Sequence, residues 1–121
     1  MSYVSTRGAA PRLDFGDVLL AGLARDGGLY LPERWPVITP EAMARYADSS
    51  YEDVAVDVML PFVEGSMDRD QLASIVADAY SGFDHPDVAP LVALEDGAWL
   101  LELFHGPTLA FKDVALQLVG P

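Results

Sequence analysis

The sequence of 121 residues contains no cysteine and a single lysine, Lys112. Without cysteine, a disulfide framework and a thiolate metal site are both excluded. No apolar run approaches the roughly 20 residues that a helix needs to cross a bilayer. Residues 1–7 lack the basic stretch and the apolar core of a signal peptide. These absences predict a cytoplasmic protein that has no membrane partner.

Positive charge is also scarce: the chain has seven basic and nineteen acidic residues, and its net charge is −12. A domain that binds duplex DNA needs a basic stripe to replace the counterions on phosphates. The charge therefore argues against nucleic acid and against anionic membranes as partners. It would also repel a phosphorylated small substrate at long range. Hydrophobic residues make up 51% of the chain, which is enough for a core and too many for a disordered tail.

Caps and apolar periodicity predict a mainly helical first part. Short strands are expected at residues 3–6 and 29–32, with a turn at 26–28 between them. Helices are expected where a capping residue precedes apolar residues at helical spacing. The four caps are Asp14, Thr39, Ser50 and Asp68. The helix after Asp14 is expected to reach Leu23, and the helix after Thr39 is expected to reach about Ala47. The sequences at Ser50 and Asp68 resemble capping boxes, and Pro61 is expected to end or kink the third helix.

The pattern changes after this helical part. Residues 91–103 read as two strands of a hairpin around a central turn, and an apolar helix is predicted from Phe111 to Val119. These last residues are too few to close a core alone. We therefore predict an α/β fold, with a helical unit over residues 1–85 and the start of a second domain over residues 86–121.

The one lysine is predicted to lie where a strand gives way to a helix. A helix dipole disfavours an ammonium at its N-terminus by roughly 0.3–1 kcal/mol. Burial of Lys112 against Leu109, Phe111 and Leu116 would act in the same direction. Both effects favour the neutral amine, which is the form that condenses with an aldehyde cofactor. The alternative is that this side chain only extends its amine into water.

Residues 101–113, LELFHGPTLAFKD, closely resemble the lysine motif of the threonine synthases. These are pyridoxal-phosphate enzymes of fold type II, in the tryptophan-synthase-β-like group. The amino end is similar to the N-terminal domain of the longer bacterial and fungal subgroup, in residues 3–8, 15–23 and 26–32, and residues 85–91 also follow the pattern of the family. The resemblance implies a mainly helical N-terminal domain over residues 1–85. Residues 86–121 would be the truncated start of the catalytic domain.

The resemblance also implies roles for individual residues. Lys112 would be the catalytic residue and would be covalently attached to the aldehyde of pyridoxal 5'-phosphate. Thr108, Phe111 and Asp113 would lie at the cofactor. His105 belongs to the motif, and a hydrogen-bonded structural histidine is an equally good interpretation of it. No metal site is expected.

The implied reaction of the family converts O-phospho-L-homoserine and water into L-threonine and phosphate, in threonine biosynthesis. Phosphate leaves from Cγ and water adds at Cβ, and Lys112 would move the protons. The glycine-rich loop that cradles the cofactor phosphate in the family is not found in this sequence. The 121-residue fragment alone is therefore expected to be inactive and to bind the cofactor weakly or not at all.

Two alternatives stay open. One is another fold-type-II lyase or deaminase, although such relatives lack a unit similar to residues 1–85. The other is a non-catalytic acidic helical module that mediates protein contacts. Trp35 and Trp99 are interpreted as core residues. Exposed apolar surface on the last hairpin and helix is expected to cause self-association of the fragment.

Overall fold

The computed structural model describes residues 1–120, and in this part of the chain five helices accompany two antiparallel strand pairs. The predicted α/β class is confirmed. The elements, in chain order, are β1 (Tyr3–Ser5), α1 (Phe15–Ala21), β2 (Tyr30–Pro32), α2 (Pro40–Tyr46), α3 (Tyr51–Val63), α4 (Arg69–Tyr80), β3 (Leu91–Glu95), β4 (Ala98–Leu101) and α5 (Asp113–Val119).

The first strand pair is held by a carboxylate in the turn that leads to β2. Strands β1 and β2 pair antiparallel, with Tyr3 opposite Pro32. Asp26 accepts hydrogen bonds from the hydroxyl of Ser5 (2.7 Å) and from the backbone N–H of Gly28 (2.9 Å). The bond from Gly28 is the largest cause that holds the pKa of Asp26 below its usual value, and the Ser5 hydroxyl adds to it. The predicted strands and turn are thus confirmed.

The core lies between α3 and α4, and α5 packs against α4. The Tyr80 hydroxyl donates to the carbonyl oxygen of Val114 at 2.9 Å, and Leu118 adds an apolar side chain from α5. Burial raises the pKa of Tyr80. The buried cluster consists of Val56, Val63, Leu72, Val76, Ala79, Tyr80 and Val88. The helix that follows Lys112 is therefore anchored on the helical first part of the chain.

The four predicted caps are confirmed, since each side chain accepts a backbone N–H in the first turn of its helix. The box at Asp68 is complete, because Gln71 accepts the N–H of Asp68 in return. The box at Ser50 is not complete, since Asp53 accepts the Ser50 hydroxyl rather than its backbone N–H. Asp53 is too short to reach back as a glutamate would.

Three predicted helix boundaries differ from the structure. Helix α1 ends at Ala21 rather than Leu23, because Gly22 adopts a positive φ of 65° and bonds its N–H to Val18. Pro61 does not end α3, which continues to Val63. Helix α5 begins at Asp113 rather than at residue 111, because residues 111 and 112 form a turn.

The last hairpin has the predicted strands, joined at Gly97 with a positive φ of 78°. However, every residue of β3 and β4 is exposed. The interpretation of the tryptophans as core residues is wrong, since Trp99 is 60% and Trp35 68% exposed. Trp99 lies on a two-stranded sheet that no other described element covers, and Trp35 meets Phe62 only edge to face. Across residues 1–120, no helix has the length and hydrophobicity to span a membrane.

The capping box allows a stability prediction. Asp68→Ala removes the acceptor for the Gln71 N–H and should lower the free energy of unfolding by about 1 kcal/mol, within a range of roughly 0.5–2. Urea denaturation measures this loss. Asp68→Asn keeps an acceptor oxygen and is the matched control, which should lose less. Equal losses in both variants would show that charge, rather than the cap, stabilises α4.

The exposed hairpin supports the expected self-association. We predict that the sedimentation coefficient of this chain rises with protein concentration, because Trp99 and its neighbours on β3 and β4 present apolar side chains to water. Trp99→Ser should weaken this rise. Leu20→Ser, at a residue 88% exposed on α1, is the control and should leave it unchanged. A monomer at every concentration would contradict the prediction.

Candidate functional site

The candidate site is the loop that connects β4 to α5 and ends at Lys112. The loop turns sharply where the N–H of Leu109 donates to the carbonyl oxygen of Gly106 at 3.0 Å. Leu109 has a φ of 61°, a left-handed conformation that costs a residue with a side chain roughly 1–2 kcal/mol. Such strain concentrates at functional sites. This turn could not be predicted from the sequence, because leucine is not a residue that favours this conformation.

Asp113 is the buried centre of this loop. Asp113 is only 2% exposed to solvent. One carboxylate oxygen accepts the backbone N–H of Thr108 and the other accepts the Thr108 hydroxyl, both at 2.7 Å. Burial is the largest single influence on the pKa of Asp113 and would raise it, but the hydrogen bonds to the carboxylate, led by those from Thr108, together outweigh burial and hold the pKa below its usual value. The carboxylate therefore stays ionised and closes the loop.

Gly106 is needed for the same packing. A Cβ atom added at this buried glycine would collide with the Asp113 side chain, at 2.6 Å from Oδ2 and 2.8 Å from Cγ. These separations are shorter than carbon–oxygen and carbon–carbon contacts tolerate. The glycine thus permits the close approach of the loop backbone to Asp113.

Lys112 directly precedes α5, as predicted, but the structure does not bury it. Its side chain is exposed, and Leu109, Phe111 and Leu116 are 69%, 65% and 56% exposed. The expected burial of the amine against these three residues is therefore wrong for this chain. The physical reason is the orientation of α5, which packs Leu118 towards α4 and leaves the opposite face uncovered.

The four predicted site residues occupy one short segment, yet they divide into two groups. Thr108 and Asp113 satisfy each other, so their polar atoms are used within the loop. Phe111 and Lys112 line a shallow apolar concavity with side chains of α5. Lys112 is the one side-chain amine available to hold an aldehyde cofactor covalently. The described residues contain no cluster of side chains suited to a metal ion.

His105, at the start of the loop, lies between two carboxylates. Its Nδ1 is 2.7 Å from Oδ1 of Asp84, and its Nε2 is 2.8 Å from Oε2 of Glu102. The backbone N–H of Asp84 also donates to the carbonyl oxygen of His105 at 3.0 Å. These contacts are those expected of a hydrogen-bonded structural histidine, which is one of the two interpretations of His105. Asp84 and Glu102 are not predicted from the sequence, and the one local signal is the spacing of Glu102 three residues before His105.

Comparisons with known proteins agree with one another. A family model described as the threonine synthase N terminus matches residues 2–80. The threonine synthase of Pseudomonas aeruginosa is 55% identical over 120 residues, which cover 99% of this chain and 26% of the relative. The threonine synthase of Schizosaccharomyces pombe is 43% identical over 121 residues, with 99% of this chain and 24% of the relative covered.

Solved structures extend the agreement to the fold. The structure of PLP-bound threonine synthase from Brucella melitensis is similar with a TM-score of 0.95 and 53% identity, over 98% of this chain and 26% of that chain. Threonine synthase from yeast gives a TM-score of 0.90 and 36% identity, over 98% and 25%. The present chain thus spans about a quarter of the length of these relatives.

The closed loop predicts a defined effect of Asp113→Asn. An asparagine offers one neutral acceptor oxygen, so the bond from the Thr108 N–H loses the negative charge that strengthens it even when that oxygen faces the N–H. The Thr108 amide should then exchange its hydrogen faster, as NMR hydrogen exchange measures. Thr108→Val is the matched control, because it removes the hydroxyl and keeps the amide bond. Unchanged protection of residue 108 in Asp113→Asn would contradict this role.

The same bond predicts a pH dependence. The pKa of Asp113 is lower in the folded chain than its ordinary value. Its contribution to stability is therefore fully present above the ordinary carboxyl pKa and is lost as pH falls through the lowered one. The protection factor of the Thr108 amide should fall in this acidic range, and Asp113→Asn should remove that dependence. A pH-independent protection factor in the parent chain would contradict it.

Proposed function

The chain belongs to the threonine synthase family, and on that premise we propose that it is the amino-terminal part of a pyridoxal-phosphate-dependent threonine synthase. The observation that carries the proposal is the placement of the sole lysine. Lys112 follows a strained loop that the buried Asp113 closes, and it lines an apolar concavity with an exposed side chain. A fixed backbone with an accessible amine is what covalent attachment of an aldehyde requires.

We propose that residues 1–85 form the N-terminal domain and that residues 86–121 begin the catalytic domain. The family model supports the first part by ending at residue 80. In the structure, Val88 and Leu118 from the second part join the core of the first. The N-terminal domain would thus act as the support on which the lysine helix α5 rests, rather than as an independent module.

The residues present fit pyridoxal phosphate in one respect, and the remaining contacts must be made elsewhere. Lys112 would hold the cofactor aldehyde, and Phe111 lines the same apolar concavity. Thr108 and Asp113 would contribute to cofactor placement through the loop that they close. When bound, the cofactor supplies a ring that withdraws electrons from the reacting substrate carbon. We propose that the cradle for its phosphate comes from segments beyond this quarter of the protein.

The proposed reaction converts O-phospho-L-homoserine and water into L-threonine and phosphate. Lys112 has two tasks in it, since one amine first holds the cofactor and, once released, moves protons at the substrate carbons. Both tasks need the same nitrogen within reach of the same atoms, so the position of its backbone matters. The bonds between Thr108 and Asp113 limit the movement of that backbone. We propose that the lysine is desolvated only when the rest of the catalytic domain covers α5.

The role of Lys112 predicts the behaviour of the full-length protein that contains this segment. Lys112→Ala should lower the release of phosphate from O-phospho-L-homoserine by roughly 10²–10⁴-fold or more, because both the attachment point and the proton carrier are lost. Borohydride reduction in the presence of pyridoxal phosphate, followed by mass analysis, should label the peptide that contains Lys112. Full activity of the variant, or labelling only at another lysine, would refute the assignment.

Two controls sharpen this experiment. Lys112→Arg keeps a positive charge but cannot form the covalent link, so it should be as inactive as Lys112→Ala. The 121-residue chain should be labelled weakly, because its one lysine is exposed and the amine of Met1 competes. Stoichiometric, specific labelling of Lys112 in the short chain would show that it binds the cofactor without the remaining segments.

A further inference from the structure

The contacts of His105 define its chemical state. Its side chain is 14% exposed and lies between the carboxylates of Asp84 and Glu102, which are 70% and 21% exposed. A carboxylate only accepts hydrogen bonds, and a neutral imidazole carries only one N–H. With both carboxyl groups ionised, the two short contacts from the two ring nitrogens are hydrogen bonds only when both nitrogens carry a proton. The geometry describes an imidazolium clamped by two anions.

The remaining surroundings of the ring agree with a cation. The aromatic neighbours are His85 and Phe104, with ring centroids 5.0 and 4.7 Å from that of His105. The Nδ1 atom of His85 accepts the backbone N–H of Asp87 at 3.1 Å, so this ring nitrogen is engaged in a local hydrogen bond. Among the described residues, no lysine or arginine forms an ion pair with Asp84 or Glu102.

The clamp joins two parts of the chain that differ in role. Asp84 lies in the segment that follows α4 and is bonded to His105 through both its side chain and its backbone N–H. His105 is followed at once by Gly106, which packs against Asp113, the neighbour of Lys112. A continuous set of contacts therefore runs from the helical first part of the chain to the lysine.

We propose that His105 is a positioning residue whose imidazolium, held by Asp84 and Glu102, fixes the start of the lysine loop against the helical unit and releases it on losing a proton. This positioning role rests on the proposed function of Lys112, whereas the clamp formed by Asp84, His105 and Glu102 does not. His105 touches neither a cofactor nor a substrate in this arrangement. It acts through Gly106 and Asp113.

The sign of the pH dependence follows from the contacts. The hydrogen bond to Glu102 is the largest cause that raises the pKa of His105, burial opposes it, and the bond to Asp84 adds to the rise. A group with a raised pKa in the folded state stabilises that state at low pH. This contribution is lost as pH rises through the folded pKa. The loop is therefore held tightly when His105 is charged and loosens above its titration midpoint.

The test is an NMR titration of the 121-residue chain, which contains only two histidines and needs no cofactor. The ¹⁵N shifts of the rings distinguish an imidazolium from a neutral tautomer. We expect His105 to be an imidazolium below its midpoint, with its Nδ1–H and Nε2–H both observed. The backbone amide shifts of Thr108 and Asp113, which are not chain neighbours of His105, should change with the same midpoint, a response that a histidine important only for packing would not produce.

Substitutions then assign the partners. Asp84→Asn and Glu102→Gln should each lower the midpoint of His105, because each removes one carboxylate that stabilises the imidazolium. Asp96→Asn, in the exposed turn of the hairpin, removes the same charge away from the clamp and should leave the midpoint nearly unchanged. If a substituted chain does not fold, the titration of the parent chain still decides, since it needs no variant.

Three results would overturn the proposal. A neutral His105 ring throughout the range from pH 5 to 8 would exclude the clamp. Midpoints unaffected by both Asp84→Asn and Glu102→Gln would exclude these partners. Amide shifts of Thr108 and Asp113 that do not change with the His105 titration would exclude the link to the loop. None of these depends on borohydride labelling of Lys112, so failure of the proposed function is detected separately.

Discussion

The position of Lys112 depends on the buried carboxylate of its neighbour, Asp113. That carboxylate accepts two hydrogen bonds from Thr108 and occupies space that only a glycine at position 106 leaves free. Because a buried charge without partners is costly, the loop cannot open at Thr108 without exposing or neutralising Asp113. Helix α5 then starts in a fixed direction. The position of the lysine backbone is thus set by the contact between Thr108 and Asp113, which involves no side-chain atom of the lysine.

Local interactions explain which parts of the fold could be predicted from sequence. The caps at Asp14 and Asp68 involve residues three apart, so their signal lies within one short window. The continuation of α3 past Pro61 could not be read in this way, because packing of Val63 in the core stabilises the last turn. The interpretation of Trp99 as a core residue is wrong for a related reason. A hydrophobic side chain indicates that burial is favourable, but not which segment provides the cover.

In the candidate site, too, some features could be predicted from the local sequence and others depend on tertiary contacts. The motif predicted Lys112 and the loop before it, because the residues are contiguous and distinctive. Asp113 was expected at the cofactor, whereas its carboxylate is engaged by Thr108, a pairing that requires the strained turn at Leu109. The partnership of Asp84 with His105 spans 21 residues and arises only when the segment after α4 meets the loop. Sequence spacing carries no information about such a meeting.

Charge decides what the described segment can contribute to the proposed reaction. Several of its nineteen acids are internal acceptors rather than solvated charges, as Asp26 and Asp113 show. The net charge of −12 would nevertheless repel a phosphorylated substrate at long range. Under the proposed function Lys112 would not offset this, because its amine would be used for the cofactor and for proton transfer. In the proposed reaction, the donors for both phosphates would therefore have to be groups other than Lys112.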